Sequence, residues 1–220
     1  MPFMRLARVA FWLSSVVLAS SAAVAAAPDP ETTRPQSYEF IAWSEDSSQF
    51  LIKINDPNMT GCIFQVRDTE TGAIVKNGKK NAQEIAPDKE AEVKARAKII
   101  KAYKMTQAPV DDASHPKKKD IMLFMGQKGE RLVIMGMRGE RASKYDTIDV
   151  MKDKQGVAAK ANQKQLVWDA DGSHLAIIYR AKLDNKDTPF EGDFIYVAPF
   201  KESKVKKAAP AEDGEKNDDE

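Results

Sequence analysis

Methionine is concentrated between residues 122 and 151, where thioether sulfurs could bind a soft metal ion. Met-x-x-Met and Met-x-Met spacings can recruit copper(I) in an exported protein, because this ion favours thioether ligands. On one strand, however, Met122 and Met125 would point to opposite faces, and apolar side chains such as Leu123 interleave with them. The pattern therefore favours a hydrophobic core, and we expect no metal and no cofactor. The methionines concerned are Met122, Met125, Met135, Met137 and Met151.

Two carboxylates, Asp169 and Asp171, are spaced so that they could converge on one calcium ion. The loop continues through Ser173 and His174 into an apolar strand and lacks the bidentate Glu that completes a calcium loop, so we expect a turn. The other histidine, His115, is far away in sequence, and neither histidine has the close His or Cys companion of a zinc site. Both histidines are expected at surface or turn positions.

A serine nucleophile finds little support. The serines concerned fall in predicted turns without a Gly-x-Ser-x-Gly elbow, and two histidines leave little choice of base. An envelope hydrolase whose site is assembled from scattered residues remains the alternative function. A deep cleft with His174 beside a carboxylate and a hydroxyl would favour it, whereas a shallow surface would favour binding. The serines are Ser44, Ser48, Ser143 and Ser173.

The first 26 residues have the order of a secretory signal peptide: two arginines, an apolar run at residues 9–17, then small side chains. We expect cleavage at Ala26 or Ala27, so that residues 1–26 are removed. A membrane anchor is the alternative, but the run is short and rich in Ala and Ser, and a spanning helix needs roughly 20 strongly apolar residues. The mature chain is therefore expected in the periplasm or the medium, without a membrane span.

Charge and cysteine content narrow the class of protein. Arg5 and Arg8 are the only charged residues before the cleavage site, so the mature chain carries 32 basic and 33 acidic residues. Such a near-neutral chain gains little from phosphate attraction, and nucleic-acid binding is not expected. Cys62 is the only cysteine, which rules out an internal disulfide. Its apolar neighbours predict a small buried side chain.

Short strands separated by turns dominate the chain. The predicted strands are residues 38–43, 50–54 and 62–67, a three-stranded antiparallel meander at 121–125, 132–137 and 145–151 with turns at 126–129 and 138–141, and a last pair at 174–179 and 194–199. The fold class is therefore mainly β (α+β), with antiparallel meanders or hairpins and one amphipathic, lysine-rich helix.

That helix is predicted at residues 88–103, which are mostly good helix formers. Pro87, acidic residues in the first turn and lysines in the last turn suit the helix dipole. Val93, Ala97, Ile100 and Tyr103 recur every three or four residues and predict a narrow stripe that packs on the sheet.

An internal repeat relates residues 43–52 to residues 168–177, which align without a gap. In each copy a tryptophan ends one strand, an acidic and serine-containing turn follows, and an apolar strand begins. Tryptophan is a large core anchor, and Asp and Ser side chains bond the amides of a turn. We therefore expect two related hairpin units, with Trp43 and Trp168 in equivalent, buried positions.

This Trp-Ser-x-Asp-Gly-Ser-like hairpin resembles the blade motif of the periplasmic propeller protein of the Tol-Pal system and of related WD-type blades. Two units are too few for a closed propeller, which needs at least four blades. The order of hairpin, helix and hairpin is also similar to a group of secreted bacterial proteins of uncharacterised function. The resemblance implies export and a compact β-rich domain, but no activity.

We therefore expect the chain to consist of four segments: the signal peptide at 1–26, a Pro-rich leader at 27–35, one β-rich domain at 36–200 and a disordered charged tail at 201–220. The tail has no aromatic residue and only Val205 as a sizeable hydrophobe, too little to offset its ordering entropy.

We expect a non-enzymatic binding protein whose partner is an envelope protein or a surface polymer; the oligomeric state stays open. Residues 76–119 carry 12 basic and 6 acidic residues, whereas residues 208–220 carry one lysine and six acids. The candidate contact surface is therefore basic, and simple solvation of these lysines is the other interpretation. This lysine surface comprises Lys94, Lys98, Lys101, Lys104, Lys117, Lys118 and Lys119.

Overall fold

The computed structural model describes residues 36–186 and 189–205. The predicted signal peptide, the Pro-rich leader and the tail beyond Val205 lie outside the described residues. The described chain is mostly β-strand with one α-helix, which confirms the predicted fold class. Its elements are β1 (Ser37–Trp43), β2 (Gln49–Asn55), β3 (Cys62–Asp68), β4 (Lys76–Asn77), β5 (Lys80–Asn81), β6 (Gln83–Ala86), α1 (Lys89–Ala102), β7 (Val110–Asp111), β8 (Ile121–Lys128), β9 (Arg131–Arg138), β10 (Arg141–Asp149), β11 (Lys160–Trp168), β12 (His174–Leu183) and β13 (Phe190–Pro199).

Three antiparallel sheets are built mainly from strands that follow one another in the chain. Sheet I has the order β1-β2-β3-β6, sheet II the order β13-β12-β11-β7, and sheet III the order β10-β9-β8. Strands β4 and β5 form a small separate hairpin. Sheet III confirms the predicted three-stranded meander, and the alternating apolar residues of its strands explain why it forms.

Sheet II lies between sheets I and III, as the side chains of β12 show. Ala176 and Ile178 pack with sheet I, whereas Leu175 and Ile177 pack with sheet III. All four side chains are fully buried. A strand that is covered on both faces is apolar on both, which explains the continuous apolar run at residues 175–179. The layers therefore follow in the order α1, sheet I, sheet II, sheet III.

Helix α1 covers the outer face of sheet I, but with a different face from the predicted one. Asp88 caps its N-terminus by accepting a 2.8 Å bond from the Ala91 amide. The buried residues are Ala95 and Ile99, whereas Val93 is 70% exposed. The predicted stripe is therefore wrong at Val93 and also at Ala97, which is exposed, although Ile100 and Tyr103 do pack against the core. The face of α1 that packs in the core with sheet I is instead formed by Ala91, Ala95 and Ile99.

The internal repeat is a real structural equivalence. Trp43 lies opposite Phe50 across the first hairpin, and Trp168 lies opposite Leu175 across the second, at the same separation in sequence. Both tryptophans are fully buried, as predicted. The two turns share their backbone hydrogen bonds and place a positive φ at the same position, 58° at Ser47 and 71° at Gly172.

The folded part extends five residues past its predicted end. Residues 202–204 form a short 3-10 turn, and the Val205 side chain is buried in the core between sheets II and III. The predicted tail therefore begins too early, because Val205 gains enough apolar contact to hold residues 201–205 on the domain. Cys62 is buried and free, as its apolar neighbours predict.

Candidate functional site

The outer face of sheet III is apolar and lies uncovered among the described residues. Its strands alternate: Ile121, Leu123 and Ile134 point inwards and are fully buried, whereas Met122 and Phe124 point outwards and are 40% and 39% exposed. Single exposed hydrophobes are common, but a contiguous group of large ones marks an interaction site. We call this group the open face. It comprises Met122, Phe124, Val133, Met135 and Met137.

Two tight turns set the register of the open face. The loops at residues 129–130 and 139–140 each contain two residues, and Gly129 and Gly139 adopt φ values of 58° and 59°. Glycine at the first position of a two-residue loop is typical of the hairpin turns that match strand twist. The first turn lies later than predicted, because β8 continues through Gly126 to Lys128. A shift of one residue in the pairing of β8 with β9 would exchange the inward and outward side chains. By fixing this pairing, the turns keep Met122, Met135 and Met137 on the outer face.

Within the open face, side chains stand opposite each other in pairs. Met122 pairs with Met137, and Phe124 pairs with Met135, across β8 and β9. On the other side of β9, Lys144 lies opposite Met135. Arg131 and Asp149, also a cross-strand pair, form a 3.0 Å ion pair beyond the apolar group. The open face is therefore an apolar strip with charged residues at its margin.

The methionines are divided between core and surface, so the prediction that they all form core is only partly right. Met151 is buried, and Met125 is partly buried against the core. Met122 is exposed, while Met135 and Met137 are half-buried on the open face. Met122 and Met125 do point to opposite faces of β8, as predicted. Phe124 was expected among the interleaved core side chains, but it points outwards together with Val133 and the exposed methionines, as the two-residue alternation of β8 and β9 requires.

Ser173, His174 and Asp169 do come together, but not in the geometry of a nucleophilic triad. His174 Nδ1 lies 3.1 Å from Asp169 Oδ2 and 3.0 Å from Ser173 Oγ. In a catalytic triad the serine meets Nε2, while Nδ1 faces the carboxylate. Here Ser173 Oγ donates its proton to Asp169 over 2.6 Å, so the histidine cannot take that proton through its second nitrogen.

Asp169 instead organises the turn of the second hairpin. Its fully buried carboxylate accepts bonds from the backbone amides of Ser173 and His174. Burial raises the pKa of this carboxyl, but the hydrogen bonds from His174 and Ser173 outweigh burial and hold the pKa far below its usual range. Ser44 has the same role in the first hairpin, where its Oγ accepts a 2.9 Å bond from the Gln49 amide.

The structure also favours the turn over a calcium site. Asp171 is exposed and pairs with Lys117, whereas Asp169 is buried and bonded within the turn. The two carboxylates therefore do not converge. In residues 36–186 and 189–205, no group of three or more His, Cys, Asp or Glu side chains is placed to hold a metal ion.

His115 lies in the loop before β8, but its ring is buried, so the expectation of a surface position is wrong. It packs against the rings of Trp168 and Phe200, whose centroids are each 5.0 Å from its own, and its Nδ1 accepts bonds from the amides of Lys117 and Lys118. Burial lowers the pKa of this imidazole, and the charge of Lys118 lowers it further. His115 is thus a structural residue that anchors the loop before β8.

The lysine surface is divided and partly neutralised. Lys94 and Lys98, on α1, form 2.6 Å ion pairs with Glu90 and Glu84. Lys117 pairs with Asp171 and Lys118 with Glu202, beside sheets II and III. Exposed pairs contribute little to stability, but each removes a free cation from the surface. Lys101, Lys104 and Lys119 are exposed.

Three open grooves of about 410 to 440 Å³ lie on the surface of the described residues, and none of these three is lined by His174, Asp169 or Ser173. The groove between β1 and α1, for example, is lined by Phe40, Ile41 and Ile100. Among the described helices, none has the length and apolar character needed to cross a bilayer. Neither a known protein-family model, nor a curated protein, nor a solved structure matches this chain.

Proposed function

We propose that this chain is an exported, non-enzymatic binding protein of the periplasm or the medium, and that the open face is its contact surface. The observation that carries the proposal is the contrast between the three sheets. Sheet I is covered by α1 and sheet II, and sheet II by its two neighbours, but the outer face of sheet III has no cover from the described residues. Ile85, on the edge strand β6 of sheet I, is a single exposed side chain, whereas the open face groups the exposed Met122 and Phe124 with three half-buried hydrophobes. A group of this kind is expected to be buried against a partner.

The chemistry of the open face favours an apolar protein surface as the partner. Methionine is unbranched and polarisable, so it adapts to partners of irregular shape. Phe124 supplies a rigid aromatic side chain of the kind that dominates binding energy at interfaces. A charged surface polymer would instead need free cations, and four of the seven lysines in the lysine surface already have acidic partners. An envelope protein is therefore the better candidate.

The hydrolase alternative gains no support from the grouping that would favour it. Ser173 and His174 meet through Nδ1, and the proton of the serine goes to Asp169.

Export is tested by mass spectrometry of the protein recovered from the envelope and the medium. The expected N-terminus lies at Ala26 or Ala27, because charge, apolar length and small residues agree there. A chain that still begins with Met1 would contradict export through a cleaved signal.

The contact surface is tested by cross-linking the full mature chain to envelope proteins. The double variant Phe124→Ser and Met135→Ser makes the open face polar, and the triple variant Lys101→Gln, Lys104→Gln and Lys119→Gln is the matched control on the lysine surface. We expect the amount of cross-linked partner to fall at least about tenfold with the first variant, because an aromatic anchor contributes on the order of 2 kcal/mol. With the second variant the amount should be unchanged. Capture that survives the first variant, or that needs the lysines and disappears at moderate salt, would assign contact to the lysine surface.

A further inference from the structure

Three thioether side chains share the open face within reach of one another. Met122 lies directly opposite Met137, and Met135 is two residues before Met137 on the same strand. Directly opposite residues have Cβ atoms about 5 Å apart, and diagonal ones about 7 Å. A methionine sulfur extends well beyond its Cβ atom, on a chain with three rotatable bonds. The three sulfurs can therefore approach a common point above the sheet.

We propose that Met122, Met135 and Met137 together bind one copper(I) ion. Thioether sulfur is a soft ligand and selects copper(I) over the harder divalent ions, which prefer oxygen or imidazole. The ion carries a single charge, so three neutral ligands suit it without a carboxylate. The copper(I) site would be a second role of the open face, beyond the docking of a protein partner.

The distribution of methionine over the sheet supports a chemical role. Methionine suits docking because it adapts in shape, but Leu or Ile would supply the same apolar bulk with less loss of side-chain entropy, so docking does not require three methionines. The outward side of β8 and β9 instead carries three methionines around one aromatic ring, while the inward side of the same strands is mainly Ile and Leu. Phe124, opposite Met135, offers a ring face next to the ion, and ring faces attract cations. Lys144 is the one cross-strand neighbour of Met135 that would repel the ion.

The test uses the full mature protein and copper(I) alone, kept reduced by ascorbate and titrated against a coloured copper(I) chelator. The site variant is Met122→Leu, Met135→Leu and Met137→Leu, which removes the sulfurs and keeps the apolar volume. The matched control is Met125→Leu and Met151→Leu, on inward-facing or buried methionines. We expect one equivalent of copper(I) for the native protein and the control, and at least a tenfold weaker affinity for the site variant. Lys144→Gln should tighten binding.

Two results would overturn the copper assignment: a native protein that takes no copper(I) from the chelator, or a site variant that binds it as well as the native protein does. Failure of this inference can be told apart from failure of the proposed function. The leucine variant keeps the apolar surface, so it should still capture the protein partner even when copper binding is lost. The serine variant of Phe124 and Met135, in contrast, tests the docking surface itself.

Discussion

The indole Nε1 of Trp43 donates a 3.0 Å hydrogen bond to the backbone carbonyl of Trp168. The two tryptophans hold the same position in their own hairpins, so this bond joins the two repeat units at corresponding points. The indole of Trp168 in turn donates a 3.0 Å hydrogen bond to the carbonyl of Asp112, which directly follows β7. A buried indole N–H needs a partner, and here each partner lies in a different segment of the fold.

Truncation of either tryptophan should therefore destabilise the whole domain. Trp43→Ala and Trp168→Ala are each expected to cost about 3–5 kcal/mol, because a large fully buried side chain leaves a cavity. Trp43→Phe keeps much of the ring but leaves the Trp168 carbonyl without its donor, which should cost about 1–3 kcal/mol. Urea denaturation measures all three. Equal unfolding midpoints for Trp43→Ala and the native protein would contradict the equivalence of the units.

Gly172 should not tolerate a side chain, because His115 occupies the space where its Cβ would lie. A Cβ built on Gly172 falls 2.3 Å from His115 Cε1, and the residue has a φ of 71°. The matched control is Gly139, which has a similar φ of 59° but nothing within 4 Å of its Cβ position. Gly139→Ala should cost about 1 kcal/mol from backbone strain alone, and Gly172→Ala about 1–3 kcal/mol more from overpacking. Equal thermal stability of the two variants would disprove the contact with His115.

Stability should fall as the pH drops below about 6.5, because His115 is held neutral in the fold. Burial, and then the charge of Lys118, lowers the pKa of this imidazole, while Asp169 and Glu202 oppose the effect. The unfolded chain then binds more protons than the folded chain, so stability is full above the unfolded pKa of about 6.5 and declines below it. Protonation of Nδ1 would also break its bonds from the Lys117 and Lys118 amides.

Denaturation at pH 7.5 and at pH 5 measures this effect. The difference in the free energy of unfolding between pH 7.5 and pH 5 should be smaller in His115→Asn. The asparagine amide carries no titratable charge, and its oxygen can accept the same hydrogen bonds. His174→Asn is the control, since His174 is the other histidine of the sequence and lies at the start of β12. A native protein as stable at pH 5 as at pH 7.5 would refute a neutral, buried His115.

The carboxylate of Asp193 should stabilise the contact between sheets I and II through its hydrogen bonds and ion pairs. Its side chain is fully buried and accepts bonds from Arg180 at 2.8 Å, Lys164 at 2.5 Å and the Tyr38 amide at 3.1 Å. Burial raises the pKa of this carboxyl, but the two cations outweigh burial, and the pKa lies below its usual value. Asp193→Asn should therefore cost about 2 kcal/mol at neutral pH, while Glu191→Gln, at the exposed partner of Arg180, should cost less than about 1 kcal/mol.

The lowered pKa of Asp193 also predicts how the stability difference between the native protein and Asp193→Asn depends on pH. A carboxyl with a depressed pKa stabilises the fold above its unfolded pKa of about 3.9 and loses this contribution as the pH falls further. The gap between the native protein and Asp193→Asn should therefore narrow below about pH 4. A gap that stays constant between pH 7 and pH 3 would show that the charge of Asp193 is not involved.

Local sequence determined the elements of this protein, since strands, turns and helix ends depend on residues only a few positions apart. Alternating apolar residues predicted the strands of sheet III, Asp88 and Pro87 marked the start of α1, and the repeated turn placed Trp43 and Trp168 correctly. The sequence also predicted that Cys62 is buried. Each of these features depends on residues that are two to four positions apart, or on hydrogen bonds that side chains make within a turn.

Tertiary structure decided which face of each element is covered, because coverage depends on layers that are distant in sequence. The two sides of β8 look similarly apolar, yet sheet II covers Leu123 and leaves Met122 in solvent. Likewise, the fit of α1 against sheet I selected Ala95 over Val93. His115 can be buried because Gly172, in the turn between β11 and β12, has no side chain and leaves room for the imidazole ring. The open face therefore could be recognised only once the stacking of the three sheets was known.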